Sequence, residues 1–207
     1  MASIYRTQEK LMGDAALVAS LLSGIKETFN KSLPAAKWCI HAGTALGAFL
    51  HQGALSGDHD LDFAVLSETC TAVDAIAAFR KAGCRLVNCY SCPKANRENV
   101  VCLEQYGIPF DVVWLYLRER EYFVGDLKRR RVVRNRWWLT APCIPHVLPA
   151  YLFDSFEDAT FAGITVPAPS PLEVYCDNRW LRRDGRYPGP DQGGERLEVR
   201  LDWDLNE

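Results

Sequence analysis

Residues 58–66 read Asp-His-Asp-Leu-Asp-Phe-Ala-Val-Leu, an acidic stretch that runs directly into an apolar one. Asp58, Asp60 and Asp62 occupy every second position. On an extended strand, side chains two residues apart point to the same face, ~6–7 Å apart. The stretch therefore predicts a strand with a row of carboxylates on one face and apolar side chains on the other.

Like charges at this spacing repel one another unless a cation neutralises them. Carboxylate oxygens in such a row suit a hard divalent cation, and Mg²⁺ in particular takes one or two carboxylates together with substrate phosphates. The spacing also fits a solvated edge strand whose acids face water. The residues upstream favour the metal site over the solvated edge.

Residues 42–47 read Ala-Gly-Thr-Ala-Leu-Gly and lie between a predicted strand at 37–43 and a short predicted helix at 44–49. A glycine followed by a hydroxyl residue at a strand-to-helix turn lets backbone N–H groups approach a phosphate, and the helix N-terminus favours its negative charge. Alone, Gly43-Thr44 more often marks a tight turn. Close to an acidic strand, it describes a site where a phosphate chain and a metal meet.

Asp111 is an acid within the otherwise apolar sequence Pro-Phe-Asp-Val-Val-Trp at 109–114, which predicts a strand. An unpaired buried carboxylate is costly, so we expect it to be paired, hydrogen-bonded or bound to metal. Two interpretations stay open. Asp111 is either a surface acid paired with a nearby arginine, or a third metal ligand or general base.

Helical and extended patterns alternate over the first 120 residues, which predicts an α/β or α+β sheet domain. Ser67 is the predicted N-cap of a helix that Gly83 terminates. The C-terminal part is less regular, apart from a helical pattern at 172–181. We predict helices at 11–29, 44–49 and 67–82, and strands at 37–43, 58–66, 85–90, 99–105 and 110–116.

The composition excludes several classes of protein. With 48% hydrophobic and 24% charged residues, the 207-residue chain is neither disordered nor fibrous. A net charge of -2 disfavours duplex nucleic acid as a partner. No window approaches the ~20 apolar residues of a membrane span, and no signal-peptide pattern is present. With eight cysteines at ordinary density, we predict free thiols and a cytoplasmic location.

These residues resemble the nucleotidyltransferase fold and, within it, the LicD family of phosphocholine transferases with its fukutin-related relatives. The family pattern is Gly-Thr-x-Leu-Gly, a further glycine and an Asp-x-Asp-x-Asp strand, seen here at 43–47, Gly53 and 58–62. Residues 111–114 resemble a later strand of the family, in which an Asp is followed by Ile or Val and an aromatic residue. Residues 161–175 resemble the family's C-terminal portion. The resemblance implies a nucleotidyltransferase-like mixed sheet flanked by helices, which we assign to residues 1–184. The tail at 185–207 has no counterpart in the family pattern; there a Gly/Pro loop precedes apolar residues that alternate with mostly charged ones, a pattern that fits an edge strand.

The resemblance also implies an activity. It is the Mg²⁺- or Mn²⁺-dependent transfer of a phospho-alcohol, phosphocholine-like or polyol phosphate, from a CDP-activated donor to a sugar or other small-molecule hydroxyl. Asp60 and Asp62 would bind the metal, and Asp111 would bind it or activate the acceptor hydroxyl. Gly43 and Thr44 would contact the donor diphosphate. The wider set of substrate-binding candidates is Gly43, Thr44, Leu46, Gly47, His51 and Asp58.

The sequence departs from the family pattern at two places. Leu50 stands where an arginine that contacts phosphate is usual, and Ser56-Gly57 stands where Pro-Trp is common. Two alternative functions stay open. One is a nucleotidyltransferase that moves a nucleoside monophosphate from an NTP to a small molecule, RNA or protein. The other is a catalytically inactive fold member that serves as a binding module.

Three further features carry less information. Cys89 and Cys92 form a Cys-x-x-Cys pair, but a structural zinc site needs four well-placed ligands, so we predict free cysteines instead. The basic run at 128–136 is typical of a solvated strand face, with an anionic acceptor or single-stranded nucleic acid as the alternative ligand. Residues 178–183 either reach a diphosphate or solvate the last helix. The oligomeric state stays open.

Overall fold

A computed structural model gives the fold of residues 10–92, 97–127 and 143–180. Its helices are α1 (Ala15–Ser32), α2 (Ala42–His51), α3 (Ala72–Lys81) and α4 (Leu172–Trp180), with a 3-10 turn at Ala150–Phe153. Its strands are β1 (Trp38–Ile40), β2 (Leu61–Leu66), β3 (Arg85–Cys92), β4 (Arg97–Gln105), β5 (Ile108–Arg118), β6 (Glu121–Leu127), β7 (Cys143–Pro149), β8 (Phe156–Phe161) and β9 (Ile164–Pro169).

The main sheet is mixed and has the strand order β1-β2-β5-β4-β3. Strands β2 and β5 run parallel, whereas β1-β2, β5-β4 and β4-β3 are antiparallel. Strand β6 extends the sheet from the end of β5 and pairs with β7, while β8 and β9 form a separate hairpin. The predicted fold class, an α/β or α+β mixed sheet flanked by helices, is confirmed.

One face of this sheet is covered by an aromatic cluster. The rings of Phe29 from α1 and Trp38 from β1 stack with centroids 4.5 Å apart. Phe79 from α3 meets both Phe29 and Phe110, and Phe63 of β2 packs edge-on against Phe110. All five side chains are buried, so helices α1 and α3 are fixed on this face by apolar area removed from water.

Helix α1 follows the predicted periodicity, but Gly13 and Asp14 separate it from the helical residues 10–12. Its N-cap is Asp14, whose Oδ1 accepts hydrogen bonds from the amides of Ala16 and Leu17, each at 3.1 Å. This cap satisfies amides that the first helical turn would otherwise leave without partners. The helix ends at Ser32, close to the predicted boundary.

The predicted start of α3 at Ser67 is wrong. The Ser67 amide donates to the carbonyl of Leu115 at 2.9 Å, which continues the β2–β5 ladder beyond the strand. The helix is capped instead by Thr71, whose hydroxyl accepts from the amide of Asp74. Gly83, with φ +88°, follows the end of the helix as predicted.

Two predicted strand boundaries near the acidic stretch also shift. The predicted strand at 37–43 ends at Ile40, and α2 begins at Ala42, because β1 pairs with β2 only as far as Ile40 opposite Phe63. Strand β2 begins at Leu61. The three acids therefore do not share one regular strand, since Asp58 and Asp60 lie in the loop that leads into β2.

The part after residue 120 contains more regular structure than its sequence suggests. Strands β6 to β9 and helix α4 all lie there. Prolines in β7 and β9 hide the strand pattern, and the β8–β9 turn at Ala162-Gly163 lacks the Asn-Gly or Asp-Gly signal of many tight hairpins. The basic run at 128–136, the boundary at 184 and the tail at 185–207 lie outside the described residues.

None of the helices within the described ranges is both long and apolar enough to cross a membrane.

A glycine contact predicts a stability effect. A Cβ atom on Gly47 would collide with the backbone carbonyl oxygen of Gly53, and it would come within 3.2 Å of Phe161. Gly47→Ala should therefore lower the free energy of unfolding in urea by about 1–3 kcal/mol. Gly24→Ala in α1 is the matched control, because its nearest neighbour atom would be 3.8 Å away, and it should raise stability by about 0.5–1 kcal/mol. Equal effects of the two substitutions would contradict this packing.

Candidate metal centre

The sheet brings two acids that are distant in sequence side by side. In the parallel β2–β5 ladder, Asp62 is paired with Asp111, so both side chains lie on the face opposite the aromatic cluster. Asp60 joins them from the loop that precedes β2. A carboxylate oxygen from each of Asp60, Asp62 and Asp111 lies within 4.8 Å of the other two. We call these three residues the acidic cluster.

The N-terminus of α2 holds Asp62 in place. The Gly43 amide donates to Asp62 Oδ2 at 3.1 Å, and the Asp62 amide donates to the Thr44 hydroxyl at 2.7 Å. The His41 amide donates to the Asp62 carbonyl at 2.9 Å. Both the main chain and the side chain of Asp62 are therefore fixed by residues 41–44.

These contacts give the Gly-Thr pair a role in positioning Asp62, whereas its expected contact with a donor diphosphate stays a prediction. Thr44 is 0% exposed, so its hydroxyl supports Asp62 from inside the protein instead of facing a ligand. The Gly43 amide is already engaged by the Asp62 carboxylate. The sequence analysis therefore identifies the turn that adjoins the acidic cluster. In the structure, the described contacts of this turn orient Asp62.

Gly43 also controls how closely the acids approach. A Cβ atom there would lie 3.2 Å from Asp58 Oδ2 and 3.5 Å from Asp62 Oδ2. The absence of a side chain leaves room for both carboxylates against the helix N-terminus, whose partial positive charge favours them. Gly43 therefore shapes the site by being small.

Burial and mutual repulsion disfavour the ionised forms of the acidic cluster. Burial, followed by the charges of Asp60, Asp111 and Asp58, raises the pKa of Asp62 well above its ordinary value. Burial also raises the pKa of Asp60, and it raises the pKa values of Asp58 and Asp111 to about 6. Against these effects, Arg179 lowers the pKa of Asp62.

Asp58 adds a fourth carboxylate beside the acidic cluster. Its Oδ2 atom is buried and has no hydrogen-bond partner among the described residues. A buried oxygen of this kind is costly unless a proton, a cation or a ligand group satisfies it.

The arrangement fits a hard divalent cation. The donor set consists of carboxylate oxygens, which Mg²⁺ and Mn²⁺ prefer, and bringing these oxygens together is unfavourable without positive charge. Among the described side chains, the acidic cluster is the one group close enough to hold a metal. Cys39, Cys70, Cys84, Cys102 and Cys176 are free thiols, whereas the side chain of Cys92 lies outside the description.

The remaining predicted binding residues do not all gather here. Leu46 belongs to the hydrophobic core, and Gly47 packs on Gly53. His51 is exposed at the last residue of α2, about 12 Å along the helix from Gly43. Leu50, at the position where an arginine was expected, packs partly buried against the core.

Two residues that the sequence analysis did not assign to the site, His41 and Tyr175, adjoin it, together with Arg179 from the segment 178–183 that was expected either to reach a diphosphate or to solvate the last helix. Tyr175 from α4 is buried, its hydroxyl lies 2.8 Å from His41 Nδ1, and it accepts a hydrogen bond from the Ala42 amide at 3.1 Å. Arg179 Nη1 lies 3.5 Å from His41 Nε2. His41 and Tyr175 are 134 positions apart, so no local motif could reveal their contact. Together they join α4 to the start of α2.

The mixed sheet with its acidic cluster defines a nucleotidyltransferase-type domain with a site suited to a divalent metal. Residues 35–171 match the family described as LicD/FKTN/FKRP, nucleotidyltransferase domain. Because this match spans well over half of the chain, the protein belongs to that family, and the resemblance seen in the sequence is confirmed. No curated protein matches the chain. Helix α4 lies beyond the matched residues.

The raised pKa of Asp111 predicts a pH-dependent stability. Its pKa of about 6 in the folded protein exceeds the ordinary value of 3.8 for an aspartate. The ionised form is therefore disfavoured by folding, and this penalty is absent below about pH 4 and complete above about pH 6. In EDTA, Asp111→Asn should be more stable than the unchanged protein by about 1–3 kcal/mol near pH 7.5, as measured by urea unfolding. This gain should shrink as the pH falls towards 4.

Asp158→Asn is the control, because Asp158 is exposed on β8. It should change stability little at any pH. A loss of stability in Asp111→Asn near neutral pH, or a gain independent of pH, would contradict the proposed electrostatics.

Proposed function

We propose that this protein is a divalent-metal-dependent phosphotransferase that moves a phospho-alcohol from a CDP-activated donor to the hydroxyl of a sugar or another small acceptor. One observation carries this proposal. Asp60, Asp62 and Asp111 converge within 4.8 Å in a domain of the LicD/FKTN/FKRP family. The proposed cofactor is Mg²⁺ or Mn²⁺.

In this proposal the three acids of the cluster bind the metal. When bound, the cation would neutralise charge on the phosphate oxygens and help to orient the donor. Gly43, Thr44 and His41 hold Asp62 in position, so its carboxylate need not reorganise when substrate arrives. The close grouping favours Asp111 as a third ligand over Asp111 as the general base.

The proposed reaction is a displacement at phosphorus. The acceptor oxygen forms a bond to the phosphorus atom of the phospho-alcohol, and the bond from that phosphorus to the oxygen of CMP breaks. The acceptor hydroxyl loses its proton to a carboxylate or to solvent, and CMP leaves. Catalysis of this kind depends mainly on positioning and on charge stabilisation, which a partly buried acidic cluster with a divalent cation can supply.

The nucleotidyltransferase alternative needs the same acidic cluster, so the metal site does not separate the two reactions. Transfer from an NTP would release pyrophosphate, whereas transfer from a CDP-alcohol releases CMP. The binding-module alternative is disfavoured because the chain keeps all four acids, at the desolvation cost that their raised pKa values indicate. The free thiols of Cys39, Cys70, Cys84, Cys102 and Cys176 support a reducing, cytoplasmic setting as part of the proposal.

The donor class can be tested with the purified protein and Mg²⁺. A panel of CDP-alcohols, including CDP-choline and CDP-polyols, should yield CMP in the presence of sugar or polyol acceptors. NTPs offered under the same conditions should not yield pyrophosphate. Pyrophosphate release without CMP release would favour the nucleotidyltransferase, and binding of nucleotide without either product would favour the binding module.

The metal ligands can be tested by charge removal. Asp60→Asn and Asp62→Asn should each lower turnover by about 100-fold or more at saturating substrate, because a ligand for the charge-stabilising cation is lost. Both variants should remain folded by circular dichroism and should bind Mn²⁺ more weakly by electron paramagnetic resonance. Asp158→Asn, an exposed acid on β8, is the control and should keep both properties. Full activity in both cluster variants would show that the site is wrongly assigned.

A further inference from the structure

Arg179 is the cation of α4 that acts on the acidic cluster. Burial and the neighbouring carboxylates dominate the pKa of Asp62, and the Arg179 charge opposes them. Arg179 itself is only partly buried, so part of the residue is exposed to solvent. It thus combines electrostatic influence on Asp62 with access from solvent.

The guanidinium has no carboxylate partner within the described part of the chain. The ion pairs found there join Lys31 to Glu27 and Arg85 to Glu104, with no nitrogen of Arg179 within 4.0 Å of an acidic oxygen. Arginine carries five N–H donors in a planar fork that matches two oxygens of one phosphate. Most of those donors therefore remain available for an anion that arrives beside the metal site.

The protein also restricts where this side chain can go. Arg179 Nη1 lies 3.5 Å from His41 Nε2, and its guanidinium lies 5.1 Å from the centre of the Trp180 ring. Because a guanidinium only donates, His41 Nε2 accepts, and the ring proton then lies on Nδ1 and points to the Tyr175 hydroxyl. His41 is in turn the residue whose amide binds the Asp62 carbonyl. Arg179 and Asp62 are therefore positioned through the same residue.

We propose that Arg179 binds a phosphate oxygen of a nucleoside diphosphate group at the acidic cluster, so that helix α4 completes the donor site. This inference rests on the proposed function, because it names the residue that recognises the donor. The metal would face the phosphates from the carboxylate side, and Arg179 would face them from α4. Substitution should therefore affect ligands with phosphate and spare ligands without it.

The test uses the full chain and calorimetric titration with CDP in the presence of Mg²⁺, with cytidine as the ligand that lacks phosphate. Arg179→Gln should weaken CDP binding by about tenfold or more, since a hydrogen bond to a charged group is lost. Cytidine binding should be unchanged. Arg179→Lys should recover part of the CDP affinity, because it restores the charge without the fork. Arg80→Gln is the matched control, since Arg80 is exposed on α3.

A second measurement separates recognition from a merely structural role. In the absence of nucleotide, the Arg179→Gln variant should bind Mn²⁺ about two- to tenfold more tightly than the unchanged protein, because a positive charge near Asp62 is removed. Damage to the fold would instead weaken both Mn²⁺ and CDP. Parallel loss of both ligands, or unchanged CDP affinity in Arg179→Gln, would overturn the Arg179 proposal while leaving the proposed function in place. Failure of the unchanged protein to bind CDP with Mg²⁺ would overturn the proposed function as well.

Discussion

The central constraint on this structure is the electrostatic repulsion between the carboxylates of the acidic cluster, which the fold holds close together. Asp62 and Asp111 are neighbours across a buried parallel ladder, and Asp60 enters the same space from the preceding loop. Burial and mutual repulsion raise their pKa values, so their ionised forms are unfavourable without added positive charge. Keeping these acids ionised therefore costs stability, and the proposed cation would offset that cost.

The surrounding elements hold the carboxylates against this repulsion. The aromatic cluster fixes the opposite face of the sheet, and the first turn of α2 binds Asp62 through its amide, carbonyl and carboxylate. Gly43 allows the acids to approach the helix, and Gly47 allows the helix to approach Gly53. The glycines of the family pattern thus have packing reasons, while the phosphate-binding role proposed here lies with α4.

The sequence predicts the parts of the site that arise from local pattern. Alternating acids, a Gly-Thr turn and an acid within an apolar strand single out Asp58, Asp60, Asp62 and Asp111 as candidates. The pattern alone left the role of Asp111 open, and the choice of Asp60, Asp62 and Asp111 as metal ligands came with the family resemblance. Local pattern does not predict the end of β1 at Ile40, because that end is set by pairing with β2. It also does not predict that Thr71 caps α3 in place of Ser67, because the Ser67 amide is bonded to Leu115 of β5. Local pattern also cannot predict the contacts of His41 with Tyr175 and Arg179, because these residues lie more than 130 positions apart in the sequence.

The most direct test of the central claim is the position of a bound cation. In crystals grown with Mn²⁺ and CDP, the account predicts an anomalous difference peak bounded by carboxylate oxygens of Asp60, Asp62 and Asp111. A map with clear nucleotide density and no such peak beside these oxygens would contradict it.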